Sequence, residues 1–216
     1  IYKKSDLAVL FVFAHFLSWQ FQMDEELKWS LLFFAQEFNL DNENVLSAYF
    51  SGFILFSAGC LLAVIAAGQI ARKQPMRLQW SLLSIIFIYL SIDEVFGIHE
   101  KLSLSGSGTS DINQLFYFKW VPVAFIFLII FGLLFIRFYL QLPNRSKILF
   151  ALSGVMYLSG VLGVEIIAGR YMAAYNEWGY EYWKLAELEE GLEMLGAIFF
   201  NFSLLDNIRQ NLQSAK

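Results

Sequence analysis

Charge is what this chain lacks most: Asp, Glu, Lys and Arg together make up 16% of its 216 residues. A soluble domain carries roughly 25%, so this chain has too little polar surface to coat an ordinary water-soluble enzyme. Its one cysteine, Cys60, sits in an apolar run. That excludes a disulfide scaffold and a cysteine-based zinc site within one chain. Its two histidines, His15 and His99, are too few for a typical catalytic zinc site. The net charge is −4 with no basic patch, which excludes a nucleic-acid partner. What the chain does have is apolar bulk. Hydrophobic residues reach 58%, with 23 Phe, 10 Tyr and 6 Trp. One soluble core of this size cannot bury them, and a disordered chain would not carry them. A membrane protein remains.

A span needs about 20 mostly apolar residues, and six stretches qualify. They run from about Leu7 to Met23, Val45 to Ala67, Gln79 to Ile98, Trp120 to Leu140, Ile148 to Ala168, and Leu188 to Leu205. The first is short and interrupted by Gln20 and Gln22, so whether it crosses fully is open. All six read as helices, because lipid offers nothing to satisfy an open strand edge. The expected fold is all-α: a polytopic helical bundle forming a single domain over residues 1–216. Gln74-Pro75, the Gly106–Ser110 run and Pro143-Asn144-Arg145 mark the loops. Between the first two spans, Leu27, Leu31, Phe34 and Phe38 recur at helical spacing, as in an interfacial helix.

Basic residues set the orientation. Placing the N-terminus, the second and fourth loops and the C-terminus on one side collects ten of the 15 Lys and Arg there, among them Lys3, Arg72, Arg145 and Lys216. Of the 19 acids only Asp6 and Asp206 fall on that side. The basic side, with both chain ends, is therefore expected in the cytoplasm. The acidic face is expected in the periplasm of a bacterial inner membrane.

The acids lie within the outer ends of the spans as well as in the loops. The third span ends in Asp93-Glu94 and His99-Glu100; the fifth carries Glu165 about one turn inside its outer end; the sixth begins with Glu189, Glu190 and Glu193. Helices that alternate in direction bring these clusters to one depth. Glu190 and Glu193 share a helix face, as do Glu189 and Glu193. Like charges so placed call for a proton, a cation or a base between them. Three readings stay open. One is a solvated acidic vestibule. Another is a divalent metal ion held among Asp93, Glu94, His99, Glu100, Glu165, Glu189, Glu190 and Glu193. The last is proton or ion movement, disfavoured because the cytoplasmic halves of the spans hold almost no ionisable group. No Glu-x-x-His pair occurs, so a di-iron bundle site is excluded.

Other features read as structural. His15 is a core histidine or, alternatively, a ligand to haem or a pigment. Asp41-Asn42-Glu43-Asn44 suits a helix N-terminus. Trp19, Trp29, Trp80, Tyr117, Trp120, Trp178, Tyr180, Tyr182 and Trp183 fall near span ends as interfacial belts. Ser51-Gly52 and Ser57-Ala58-Gly59 put a small face on the second span, and Ser153-Gly154, Ser159-Gly160 and Gly163 put one on the fifth. Such faces allow close helix approach. Phe125, Phe127, Phe131 and Phe135 turn the fourth span toward lipid or an apolar partner.

Leu40-Asp41-Asn42-Glu43-Asn44, Asp93-Glu94 with His99-Glu100, and Glu189-Glu190 with Glu193, Leu195 and Gly196 together resemble a group of bacterial multi-span membrane proteins. That group shares LDxEN, LDExxxxHE and EExxExLG elements and has no assigned activity; Ile92 here stands where it often has Leu. The resemblance implies only that the acid and His positions belong together. The span number is also similar to that of ceramidase-like membrane hydrolases, but their zinc takes three histidines and this chain has two.

Two functions follow as expectations. One is an accessory or structural subunit of a larger membrane complex, embedded in the lipid bilayer against other membrane chains, with an acid cluster that binds a cation. The alternative is a metal-dependent membrane enzyme acting on a lipid or quinone at the outer leaflet.

Overall fold

The computed structural model describes residues 46–99, 101, 117–175 and 179–213. The first span, the interfacial helix, His15, the Asp41–Asn44 segment, Glu100, the Gly106–Ser110 loop and Trp178 lie outside the described residues. Among the described residues the chain is all-helical, with no strand. The helices are α1 (Leu46–Ala71), α2 (Arg77–Phe96), α3 (Trp120–Gln141), α4 (Asn144–Leu158), α5 (Glu165–Tyr175) and α6 (Tyr180–Gln213). A π-helical turn, Ser159–Val164, joins α4 to α5 without a break. Four of these rods are long and apolar enough to cross a membrane: α1, α2, α3 and the continuous Asn144–Tyr175. The 34-residue α6 is not among them; its N-terminal half carries Glu181, Glu187, Glu189, Glu190 and Glu193.

The boundaries follow local chemistry. The turn after α1 closes with Gln74 N–H donating to the Gln69 carbonyl at 2.9 Å, and Pro75 keeps the helix from continuing. Pro143 plays the same part between α3 and α4. Gly97 ends α2 in the left-handed region (φ 52°, ψ 48°), a conformation that a Cβ makes costly.

Small residues decide the packing. A Cβ on Gly52 would fall 2.6 Å from Val95, and one on Gly59 2.7 Å from Ile88. These contacts seat α1 against α2. Ser91 Oγ donates to the Gly52 carbonyl at 2.7 Å and Ser84 Oγ to the Gly59 carbonyl at 2.8 Å. Helix α6 lies against both α1 and α4. On the α1 side, Asn201 Nδ2 donates to the carbonyls of Ile54 (3.0 Å) and Ala197 (2.9 Å), and Ser57 Oγ meets Asn201 Oδ1 at 2.7 Å. On the α4 side, Asn207 Nδ2 donates to Ser146 Oγ at 3.0 Å. Below it Arg145 grips Asp206 through two hydrogen bonds of 2.8 and 2.9 Å. Asp206 is one of the two acids expected on the basic side, and it pairs with Arg145, a base expected on the same side.

Two sequence expectations need revision. Trp80 is no interfacial belt residue: it is buried in the core, edge-on to Phe138 at 4.9 Å and to Phe150 at 6.2 Å. Tyr182 is also interior, packed with Ala168, Met172 and Ala186. An aromatic near a span end fills the bundle when its neighbours leave a gap of matching size. The fourth span, α3, turns outward only in part. Ile126, Ile129 and Leu133 are exposed, but Phe135 and Phe138 are buried against Trp80, Leu62 and Leu204.

At Gly196 the approach is to backbone: a Cβ there would lie 2.6 Å from the Tyr157 backbone nitrogen. Gly154 has no atom within 4 Å of that position. Gly196→Ala is expected to destabilise the protein by about 1–3 kcal/mol through overpacking. Gly154→Ala should be neutral or stabilising by up to about 1 kcal/mol, from helix propensity. Thermal unfolding in detergent checks both; equal melting temperatures would contradict the packing.

Candidate functional site

Helices α2, α3, α4 and α6, with Ala48 of α1 and Glu165 at the start of α5, line a cavity of about 1060 Å³ that follows α3 from Trp120 to Tyr139. Seven of the eight residues expected from the sequence line it: Asp93, Glu94, His99, Glu165, Glu189, Glu190 and Glu193. The eighth, Glu100, lies outside the described residues.

Each is positioned by a local feature. The left-handed turn at Gly97 bends the chain after α2, so that His99 faces back toward that helix. The His99 backbone N–H donates to Asp93 Oδ1 at 3.1 Å, and His99 Nδ1 lies 2.8 Å from Asp93 Oδ2. One carboxylate thus holds both the backbone and the ring. The His99 ring packs edge-on against Trp120, with centroids 4.9 Å apart. Trp120 Nε1 in turn donates to Glu165 Oε1 at 2.9 Å. The Glu189 carboxyl group of α6 lies beside Glu165.

The π-helical turn sets the last two positions. It brings Gly160 so close to α6 that a Cβ there would fall 2.7 Å from the Glu189 carbonyl and 2.8 Å from Glu193 Cγ. Glycine is the one residue that fits this approach. Glu189 and Glu193 therefore flank the turn itself, and Tyr157, one helical turn before Gly160, has Glu193, Glu94, Glu190 and Asp93 around it.

Glu165 departs from its expected place. The helix runs on for ten residues beyond it, to Tyr175, so Glu165 is deeper from the helix end than one turn. Gly169 makes the extension pack: a Cβ there would lie 3.1 Å from Tyr117 and 3.2 Å from Phe118.

The polar end of the lining carries six carboxyl side chains and one imidazole, with no Lys or Arg. Away from it the lining turns apolar, along Phe87, Leu90, Phe127, Leu128, Phe131 and Phe200. The cavity is therefore a shaft with an acidic head. Among the described residues, no three His, Cys, Asp or Glu side chains come close enough together to hold one metal ion.

A family model for a domain of unknown function, DUF8692, matches residues 7–208. The chain belongs to this family. No curated protein and no solved structure matches the chain. The family description names no activity, so the functional reading rests on the geometry of the cavity.

Trp120 and Tyr157 were not singled out as site residues from the sequence. Trp120 read as a belt residue; the signal for an inward role is that a buried indole N–H needs an acceptor. Tyr157 carried a weaker signal, a hydroxyl in a span rich in small residues. Removing the indole donor is expected to matter. Trp120→Phe should lower unfolding stability by about 1–3 kcal/mol, because Glu165 loses its donor. In a Glu165→Leu background the same change should cost at least about 1 kcal/mol less. Additive losses in that double-mutant cycle would show that the two side chains are not coupled.

Proposed function

We propose that this chain is a six-span protein of a bacterial inner membrane, with both ends cytoplasmic, and that its cavity holds a lipid- or quinone-sized amphiphile near the outer leaflet. One observation carries the ligand reading: the cavity is apolar along its shaft and polar at one end. Small-molecule sites occupy roughly 300–1,000 Å³ and are mostly apolar with a few placed polar groups. The volume of about 1060 Å³ stands at the top of that range.

Topology supports the depth. Helices α2, α4–α5 and α6 each bring acids to the same end of the bundle, and Arg145 meets Asp206 at the other. The first span and α6 complete the six. At about 1.5 Å per residue α6 exceeds the roughly 30 Å hydrocarbon layer. Its Asn201, Ser203 and Asn207 are buried against the bundle, which suits a helix surrounded by protein more than by lipid.

The accessory-subunit reading draws on the exposed apolar faces, such as Leu133 and Leu134 of α3, and lipid covers those equally well. The metal-enzyme reading is served less well by the spread of the carboxylates. Amphiphile binding accounts for both the shaft and its acidic head.

Protein purified in mild detergent should release about one amphiphile per chain on organic extraction, read by mass spectrometry. Gly154 lines the cavity and has open space at its Cβ, so Gly154→Trp should fill the shaft and cut the bound amount at least tenfold while leaving the fold intact. Unchanged recovery from that variant, or no amphiphile retained or bound by the native protein, would overturn the reading. The orientation has its own check. In a Cys60→Ser background, Ser107→Cys should react with an impermeant maleimide on intact cells and Gln74→Cys should not; the reverse pattern inverts the topology.

A further inference from the structure

The chemistry of the cavity's head selects among amphiphiles, and this inference rests on the amphiphile reading above. A phosphate or carboxylate head needs Arg, Lys or a run of backbone N–H donors. The lining offers neither Lys nor Arg, and its polar end is made of carboxyl groups. An anion placed there would meet like charge in a region of low dielectric. A hydroxyl or carbonyl head would be tolerated but would leave most of the acceptors unmet. An ammonium carries three donors and no acceptor, the complement of what the protein presents.

Two cavity-lining groups sharpen this. Among the described residues, no side chain hydrogen-bonds the Glu193 carboxylate or the Tyr157 hydroxyl. Glu193 stands on α6 opposite Asp93 and Glu94 of α2, and Tyr157 stands beside it on α4. Asp93 is engaged with His99, and Glu165 with Trp120. The acids thus surround a space without converging on one point. A bare metal ion needs ligands within about 2.0–2.6 Å of a single centre. An ammonium reaches its acceptors at about 2.7–2.9 Å in several directions, and its tail anchors it in the shaft.

We propose that the cavity binds a single-chain amphiphile with a protonated amine head, the ammonium held by Glu193 and Glu190 and the tail lying between α2, α3 and α4. Phe87, Leu90 and Phe131 form the walls around that tail.

The test uses the full chain in nanodiscs of zwitterionic lipid. Three photoreactive hexadecyl probes share one tail and differ in head: primary amine, hydroxyl and phosphate. Expected is labelling of shaft peptides by the amine probe at concentrations at least tenfold below those the hydroxyl probe needs, with the phosphate probe weakest. Glu193→Gln and Glu190→Gln should each reduce the amine preference while leaving hydroxyl-probe labelling unchanged. Should one variant fail to fold, the other still carries the comparison. Equal labelling by all three probes, or preference for phosphate, would overturn the amine head and leave amphiphile binding standing. Shaft labelling by none of the three, with the native protein folded, would overturn both.

Discussion

The site depends on how closely α6 lies against α4 and the π-helical turn. Gly196 lets α6 rest on the Tyr157 backbone, and Gly160 lets the turn rest on the Glu189 carbonyl. Between those two contacts the helices touch almost backbone to backbone. Without that approach, Glu189 and Glu193 would stand farther from Tyr157 and from Glu165, and the acids would disperse along the helix ends. In lipid, the apolar surface of a helix gains little from meeting another helix, so small-residue contacts of this kind supply much of the association. The same contacts that hold the bundle also gather its charge.

Gathering charge has an energetic counterpart. Six carboxyl groups around one cavity repel unless protons, donors or a cation intervene. The protein supplies part of the answer itself: a histidine beside Asp93 and an indole donor to Glu165. What it does not supply is a Lys or Arg in the cavity wall. The cluster thus has donors at Asp93 and Glu165, while no described side chain hydrogen-bonds Glu193. That asymmetry gives the cavity a direction, from an occupied polar edge to one that can receive a donor.

Much of this could be read from the residues alone. The long apolar runs announced helices, and alternating direction was enough to bring Asp93, His99, Glu165 and Glu190 to one end, because topology does not require packing to be known. The small faces on the second and fifth spans also pointed to close contacts, though Gly154, within one of them, faces open space instead. Other features were hidden for physical reasons. Trp80 and Trp120 sit at span ends like belt residues; only the neighbouring helices decide whether an aromatic there meets lipid or fills a gap. The π-helical turn has no distinctive composition, since Ser159–Val164 would serve equally as ordinary helix. The depth of Glu165 was misjudged because the helix runs past the apolar stretch, held there by Gly169 against Phe118. The cavity was not visible at all, because a void is a property of several helices together.

The π-helical turn carries a consequence of its own. Such a turn is an ordinary helix with a surplus of chain, and each residue of a helix turns the direction by about 100°. The angular position of Glu165 relative to Tyr157 is therefore written in the number of residues between them as much as in their identities. A chain one residue shorter between 159 and 164 could keep every side chain that lines the cavity and still point Glu165 away from Trp120. Length, at this place, works as an orientation signal.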